Sequence, residues 1–211
     1  MKTEQLILQL QEEAKPKAAF RPLKSWMFWS MVPVTVMILR FFLWQKQSPD
    51  LTKNFDSYFF QESLLLVLLF FLVPFLTFKQ SIPGFRNTKL TLLTAALFAG
   101  WILLLISRAT TPDLQETQSV LFLKGIACSY EIFLMSLIPL AVIFFILKRG
   151  ASVHPLRSGI MAAASATMMG TLVLQVLCQS SSSVHILAFH FGAILLVSMI
   201  GAFSGTFFLR W

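Results

Sequence analysis

Two cysteines, a glutamate and two histidines lie in or beside long apolar runs of this sequence. Cys128 and Glu131 are one helical turn apart in GIACSYEIF. Cys178 closes a later apolar run, and His185 and His190 follow in the next one. Thiol, imidazole and carboxylate groups can form disulfides, bind soft metals or relay protons. Which of these chemistries applies depends on the helices that position the side chains.

The composition predicts an all-α, polytopic membrane protein. The chain has 211 residues, of which 56% are hydrophobic and 12% charged, whereas a soluble domain carries about 25% charged residues. Apolar runs near the ~20 residues that cross a bilayer as a helix recur along the chain. They predict a bundle of six transmembrane helices at about 25–44, 57–78, 90–107, 125–147, 157–178 and 184–209.

The distribution of Lys and Arg predicts the orientation of this bundle. With six spans, the side that holds both termini carries twelve of these residues and the other side carries four, while Arg40 lies within the first span. Because cytoplasmic loops are enriched in Lys and Arg, both termini are predicted to be cytoplasmic.

This topology places the polar side chains in one leaflet. Cys128 and Cys178 fall at the outer face on consecutive spans. Glu131 and His190 both fall about 10 Å into the membrane, and Arg40 lies at a similar height. An intramembrane carboxylate is costly and needs a partner inside the bundle. The candidate partners of Glu131 are His190, Arg40 and the hydroxyl groups of Tyr130 and Ser129.

The two cysteines have three interpretations. They are small buried apolar residues, the halves of a disulfide in an oxidising compartment, or thiolate ligands of a soft metal, with His185 or Glu131 as a further ligand. His185 and His190 are five residues apart, which in an α-helix separates them by about 140°. At most one of them is therefore expected to be a metal ligand.

The polar N-terminal segment, residues 1–24, is predicted to be separate from the transmembrane domain, residues 25–211. Leu6, Ile7 and Leu10 share one face of a short helical pattern that ends near Pro16. Such a helix either lies on the bilayer surface or docks into a groove of a cytoplasmic partner.

Signatures of nucleotide binding and hydrolysis are absent, since the sequence has no GxxxxGK[ST], GxSxG or HExxH. No enzymatic activity and no permanent cofactor are expected. One alternative is a small transporter or membrane enzyme that uses Glu131 and His190 as a proton relay. Another is a structural subunit of a larger membrane complex.

The block CSYEIFLMSLIPLAVIFFILKRGASVHPLRSG, a small-residue helix ending in LC, a histidine-bearing last helix and a terminal LRW resemble the NrsF family. The opening MKTEQLI is similar as well. These proteins are six-span anti-sigma factors of the bacterial inner membrane. The resemblance implies that residues of the N-terminal segment, such as Leu6, Ile7 and Leu10, hold an extracytoplasmic-function (ECF) sigma factor. It also implies that Cys128 and Cys178 sense oxidants or heavy metals, with transient metal binding and no direct contact with nucleic acid.

Overall fold

The computed structural model describes residues 20–47, 57–82, 84, 87–109, 118–150, 152, 154–178 and 182–209. It contains six helices that are long and apolar enough to cross a membrane, which confirms the six-helix membrane fold. They are α1 (Pro22–Gln47), α2 (Ser57–Gln80), α3 (Thr88–Ala109), α4 (Gln118–Leu147), α5 (Pro155–Leu177) and α6 (Ser183–Phe208). Leu6, Ile7 and Leu10, and with them the predicted docking helix, lie outside the described residues.

Helix α5 is the centre of the bundle, since 78% of its most apolar 18-residue stretch is buried. Its small residues allow α6 to approach until the two backbones touch. A Cβ atom on Gly159 would overlap the carbonyl oxygen of Gly201, and one on Gly205 would meet Gly159. Small residues permit such close contact in lipid, where dispersion forces drive helix association.

Helix α1 is much less buried: only 11% of its most apolar 18-residue stretch is covered by other helices. Two tryptophans attach it to neighbouring helices. Trp29 is fully buried and its indole N–H donates to the Pro139 carbonyl at 2.9 Å, while Trp26 donates to the Phe71 carbonyl at 3.1 Å. Because α1 follows directly after the N-terminal segment, the least buried helix of the bundle is the one connected to the predicted docking region.

The start of α4, the end of α5 and the start of α6 meet at one end of the bundle, here called the thiol end because Cys128 and Cys178 lie there. The start of α2 and the end of α3 are also close to each other, since the Arg108 guanidinium lies 4.9 Å from the centre of the Tyr58 ring. The turn between α4 and α5, around Gly150, lies at the opposite end.

Candidate thiol and imidazole site

The two cysteines lie side by side. Cys128 Sγ, on α4, is 3.5 Å from Cys178 Sγ, which follows the last residue of α5. Cys178 is 7% exposed, and its backbone N–H donates to the Leu174 carbonyl at 2.8 Å, which fixes the end of the helix. The prediction that both thiols belong to one end of the bundle is confirmed, and the two sulfurs are not joined by a disulfide.

Both histidines of α6 join the cysteines. Cys178 Sγ is 3.4 Å from His185 Nε2, and the centres of the His185 and His190 rings are 5.4 Å apart. Both rings are fully buried. One potential ligand atom from each of Cys128, Cys178, His185 and His190 can be chosen so that all four lie within 4.8 Å of one another.

The expectation that His185 and His190 cannot face the same point is wrong, because α6 is not a regular α-helix at this position. Ile186–Phe191 form a π-helical segment. Its hydrogen bonds connect residues five apart, so residues with that spacing lie on the same side of the helix. Apolar periodicity in the sequence gave no sign of this segment. The only available signal was the five-residue spacing of the two histidines.

Helix α4 holds the π-helical segment in place. Ser129 Oγ donates to the Phe189 carbonyl at 2.9 Å. Gly125 lies directly beneath the Phe189 ring, and a Cβ atom at this position would overlap it. Gly125, Cys128 and Ser129 are three and four residues apart, so one face of α4 supplies a thiol and also anchors the histidine-bearing segment.

Glu131 is paired with Arg40 of α1. One guanidinium nitrogen of Arg40 is 2.7 Å from each of the two carboxylate oxygens. Of the partners predicted for Glu131, Arg40 is therefore the one observed, while Ser129 bonds to α6 and Tyr130 is 60% exposed. Among the described residues no hydrogen bond joins Glu131 to His190, so the proton-relay alternative gains no support from the geometry.

A second intramembrane carboxylate, Glu62 of α2, was not among the site residues predicted from the sequence. It is 1% exposed and interacts with Gln175 and Trp101, while Arg108 and His190 act on it electrostatically. The available signal was its position five residues inside the helix that begins at Ser57. Glu62 therefore extends the polar region of the thiol end from α4, α5 and α6 to α2.

Comparison with known families identifies the group to which this arrangement belongs. The family model of NrsF, described as negative regulator of sigma F, matches residues 10–211, nearly the whole chain. The chain belongs to the NrsF family. It is therefore a negative regulator of a sigma factor. No curated protein and no solved structure matches the chain.

In this NrsF member the surroundings of Cys178 favour its thiolate. Hydrogen bonding with Cys128 is the main cause that lowers the pKa of Cys178; burial opposes it, and His185 and His190 add to the lowering. A thiolate is the form that attacks oxidants and binds metals. The site therefore combines a reactive sulfur, a neighbouring thiol and two imidazoles in a largely buried position.

Proposed function

We propose that the protein is a bacterial inner-membrane anti-sigma factor that holds an ECF-type sigma factor through its N-terminal segment. Leu6, Ile7 and Leu10 supply the apolar face for this contact. The sigma factor is released when the Cys128–Cys178 pair encounters oxidants or heavy metals on the periplasmic side. The observation that carries the sensing proposal is the 3.5 Å separation of the two sulfurs.

Oxidation would convert the pair into a disulfide. The two thiols lose two protons and two electrons to a two-electron oxidant such as diamide, which is reduced to the hydrazine. An S–S bond of about 2.0 Å replaces the present contact. The sulfurs must therefore approach by about 1.5 Å, a change small enough to need only side-chain rotation and a slight movement of α4 against α5.

The change would reach the cytoplasm through rigid helices. Helix α5 is locked to α6 by the Gly159 and Gly201 contact. Glu131, one turn beyond Cys128, holds α1 through Arg40. Movement of α4 at the thiol end would thus pull on α1 and change the position of the segment that holds the sigma factor. Packed helices of this kind switch between discrete arrangements rather than deform continuously.

The test uses the full-length protein in cells with a reporter of sigma-dependent transcription. After diamide or cadmium, the reporter should rise in cells with the parent protein, because the sigma factor is released. It should stay low with Cys128→Ser, Cys178→Ser and the double variant. Leu6→Asp with Leu10→Asp should raise the reporter without stress and abolish co-purification of the sigma factor. Normal induction in the double cysteine variant would refute sensing by the thiol pair, and retained co-purification in the leucine variant would refute docking through the N-terminal segment.

A further inference from the structure

The geometry points to a metal site with four protein ligands: we infer that Cys128, Cys178, His185 and His190 bind one thiophilic divalent cation of the Zn²⁺ or Cd²⁺ class in a tetrahedral arrangement. This rests on the proposed function in that the same thiols act as the sensor. It goes further by assigning both histidines as ligands and by defining the ion that the site selects.

The distances fit a tetrahedral ion. With Zn–S of about 2.3 Å and Zn–N of about 2.05 Å, a tetrahedron has edges of about 3.8 Å between two sulfurs and about 3.6 Å between sulfur and nitrogen. The Cys128–Cys178 sulfur separation is 3.5 Å, and Cys178 Sγ lies 3.4 Å from His185 Nε2. All four ligand atoms lie within 4.8 Å of one another. Shifts of a few tenths of an ångström up to about 1 Å would therefore complete the coordination shell.

The histidines are buried without the hydrogen bonds that such rings normally make. His185 Nδ1 and both ring nitrogens of His190 have no hydrogen-bond partner among the described residues, and both side chains are 0% exposed. A buried polar atom left without a partner costs about 1–3 kcal/mol. Coordination of one nitrogen of each ring would remove part of this cost, which explains why two imidazoles are held at this position in an apolar bundle.

The charge of the ligand set suits its surroundings. Two thiolates and two neutral imidazoles around a divalent cation give a complex with no net charge. A neutral complex avoids the penalty for placing charge at membrane depth, and thiolate with imidazole is a ligand set that Zn²⁺ and its heavier congener prefer over hard cations.

Metal and disulfide exclude each other, because both use the same two sulfur atoms. A bound ion would keep the thiols apart as thiolates, and formation of the S–S bond would release the ion. The two signals of the proposed sensor thus lead to separate end states, a reduced, metal-loaded one and an oxidised, metal-free one.

The test is titration with Co²⁺, whose visible absorption distinguishes tetrahedral from octahedral coordination. The full-length protein in lipid nanodiscs is reduced, freed of metal and titrated without oxygen. We expect one Co²⁺ per chain with an intense tetrahedral spectrum that Zn²⁺ or Cd²⁺ displaces. His185→Gln and His190→Gln should each weaken binding by about tenfold or more. His154→Gln, exposed at the opposite end of the bundle, is the matched control and should behave like the parent protein.

Wild-type affinity and an unchanged spectrum in both histidine variants would overturn the inference, as would a purely octahedral spectrum of the parent. Diamide cross-linking of Cys128 to Cys178 in the same variants shows whether the bundle is intact. If cross-linking fails in His190→Gln, His190→Cys replaces it, and a recovered tetrahedral spectrum supports the assignment while its loss opposes it. Because Co²⁺ binding is measured on purified protein without a sigma factor, failure of this site and failure of sigma-factor release are separate results.

Discussion

The ion pair between Arg40 and Glu131 should stabilise the attachment of α1 to the bundle by about 2 kcal/mol. Opposite charges about 4 Å apart attract by about 4 kcal/mol in surroundings of intermediate polarity. The side chains of Arg40 and Glu131 are 23% and 37% exposed, which reduces the net value by about half. This coupling corresponds to roughly a 30-fold change in an equilibrium constant.

A double-mutant cycle measures this value directly. Arg40→Gln, Glu131→Gln and the double variant are unfolded reversibly with SDS in mixed micelles, and unfolding is followed by fluorescence of the buried Trp29 and Trp101. Each single variant should be clearly destabilised, and the double variant should lose about 2 kcal/mol less than the sum of the two. Thr35→Ala, an exposed position on the same helix, is the control and should change stability by less than about 0.5 kcal/mol.

A coupling below about 0.5 kcal/mol would show that the ion pair does not hold α1. The cycle also has a functional readout. If α1 transmits the signal, Arg40→Gln should raise sigma-dependent transcription without stress, while the thiols still form a disulfide with diamide. An unchanged basal reporter together with a strong coupling energy would mean that α1 is anchored by the pair but takes no part in release.

Three further predictions concern packing and protonation. Gly125→Ala should destabilise the protein by about 1–3 kcal/mol and slow disulfide formation, because the added Cβ displaces the Phe189 ring of the π-helical segment. Gly100→Ala is the control and should do neither, because no atom lies within 4 Å of a Cβ at that position. Gly201→Ala should lower the free energy of unfolding by a similar amount, because the added Cβ overlaps α5. Gly192→Ala on the same helix should leave it nearly unchanged, and equal effects of the two changes would contradict the close contact of α5 with α6 at Gly201. Because the pKa of Cys178 is lowered, its thiolate persists as the pH falls, so the rate of the diamide reaction should drop less than tenfold from pH 8 to pH 6; a drop approaching a hundredfold, as for a thiol of pKa about 8.5, would refute this.

The helices were predictable from composition because bilayer-length apolar runs have few other structures available in lipid. The predicted spans agree with the observed helices to within a few residues, except that α4 begins at Gln118 rather than near 125. The position of Cys128 and Cys178 at the same end of the bundle followed from topology, since alternate helix ends lie on the same side of the membrane, whereas their 3.5 Å separation did not. The choice of Arg40 as the partner of Glu131 was open in the sequence, because depth restricts partners while rotation about each helix axis selects among them.

The joint position of His185 and His190 could not be predicted, because it depends on a departure from 3.6 residues per turn. That departure is stabilised by contacts from another helix, the Ser129 hydrogen bond and the space left by Gly125. A purely local pattern does not contain this information. Glu62 was missed for a simpler reason: it lies near a predicted span boundary, where a carboxylate is ordinarily exposed to headgroups and water.

The π-helical segment affects the number of residues in α6 as well as its local shape. It gives the helix, in effect, one residue more than an α-helix of the same span would contain. Deleting one residue of the segment, such as Ala188, would therefore restore regular α-helical winding and leave the two flanking parts of α6 in the same relative orientation. The two histidines would then be four residues apart, a spacing that keeps both on one face of an α-helix, and Gly201 and Gly205 would still face α5. A deletion between Gly192 and Gly201 has no such compensation and would rotate Gly201 and Gly205 by about 100° relative to the histidines. Helix α6 therefore tolerates the loss of a residue inside the π-helical segment better than the same loss in its regular part.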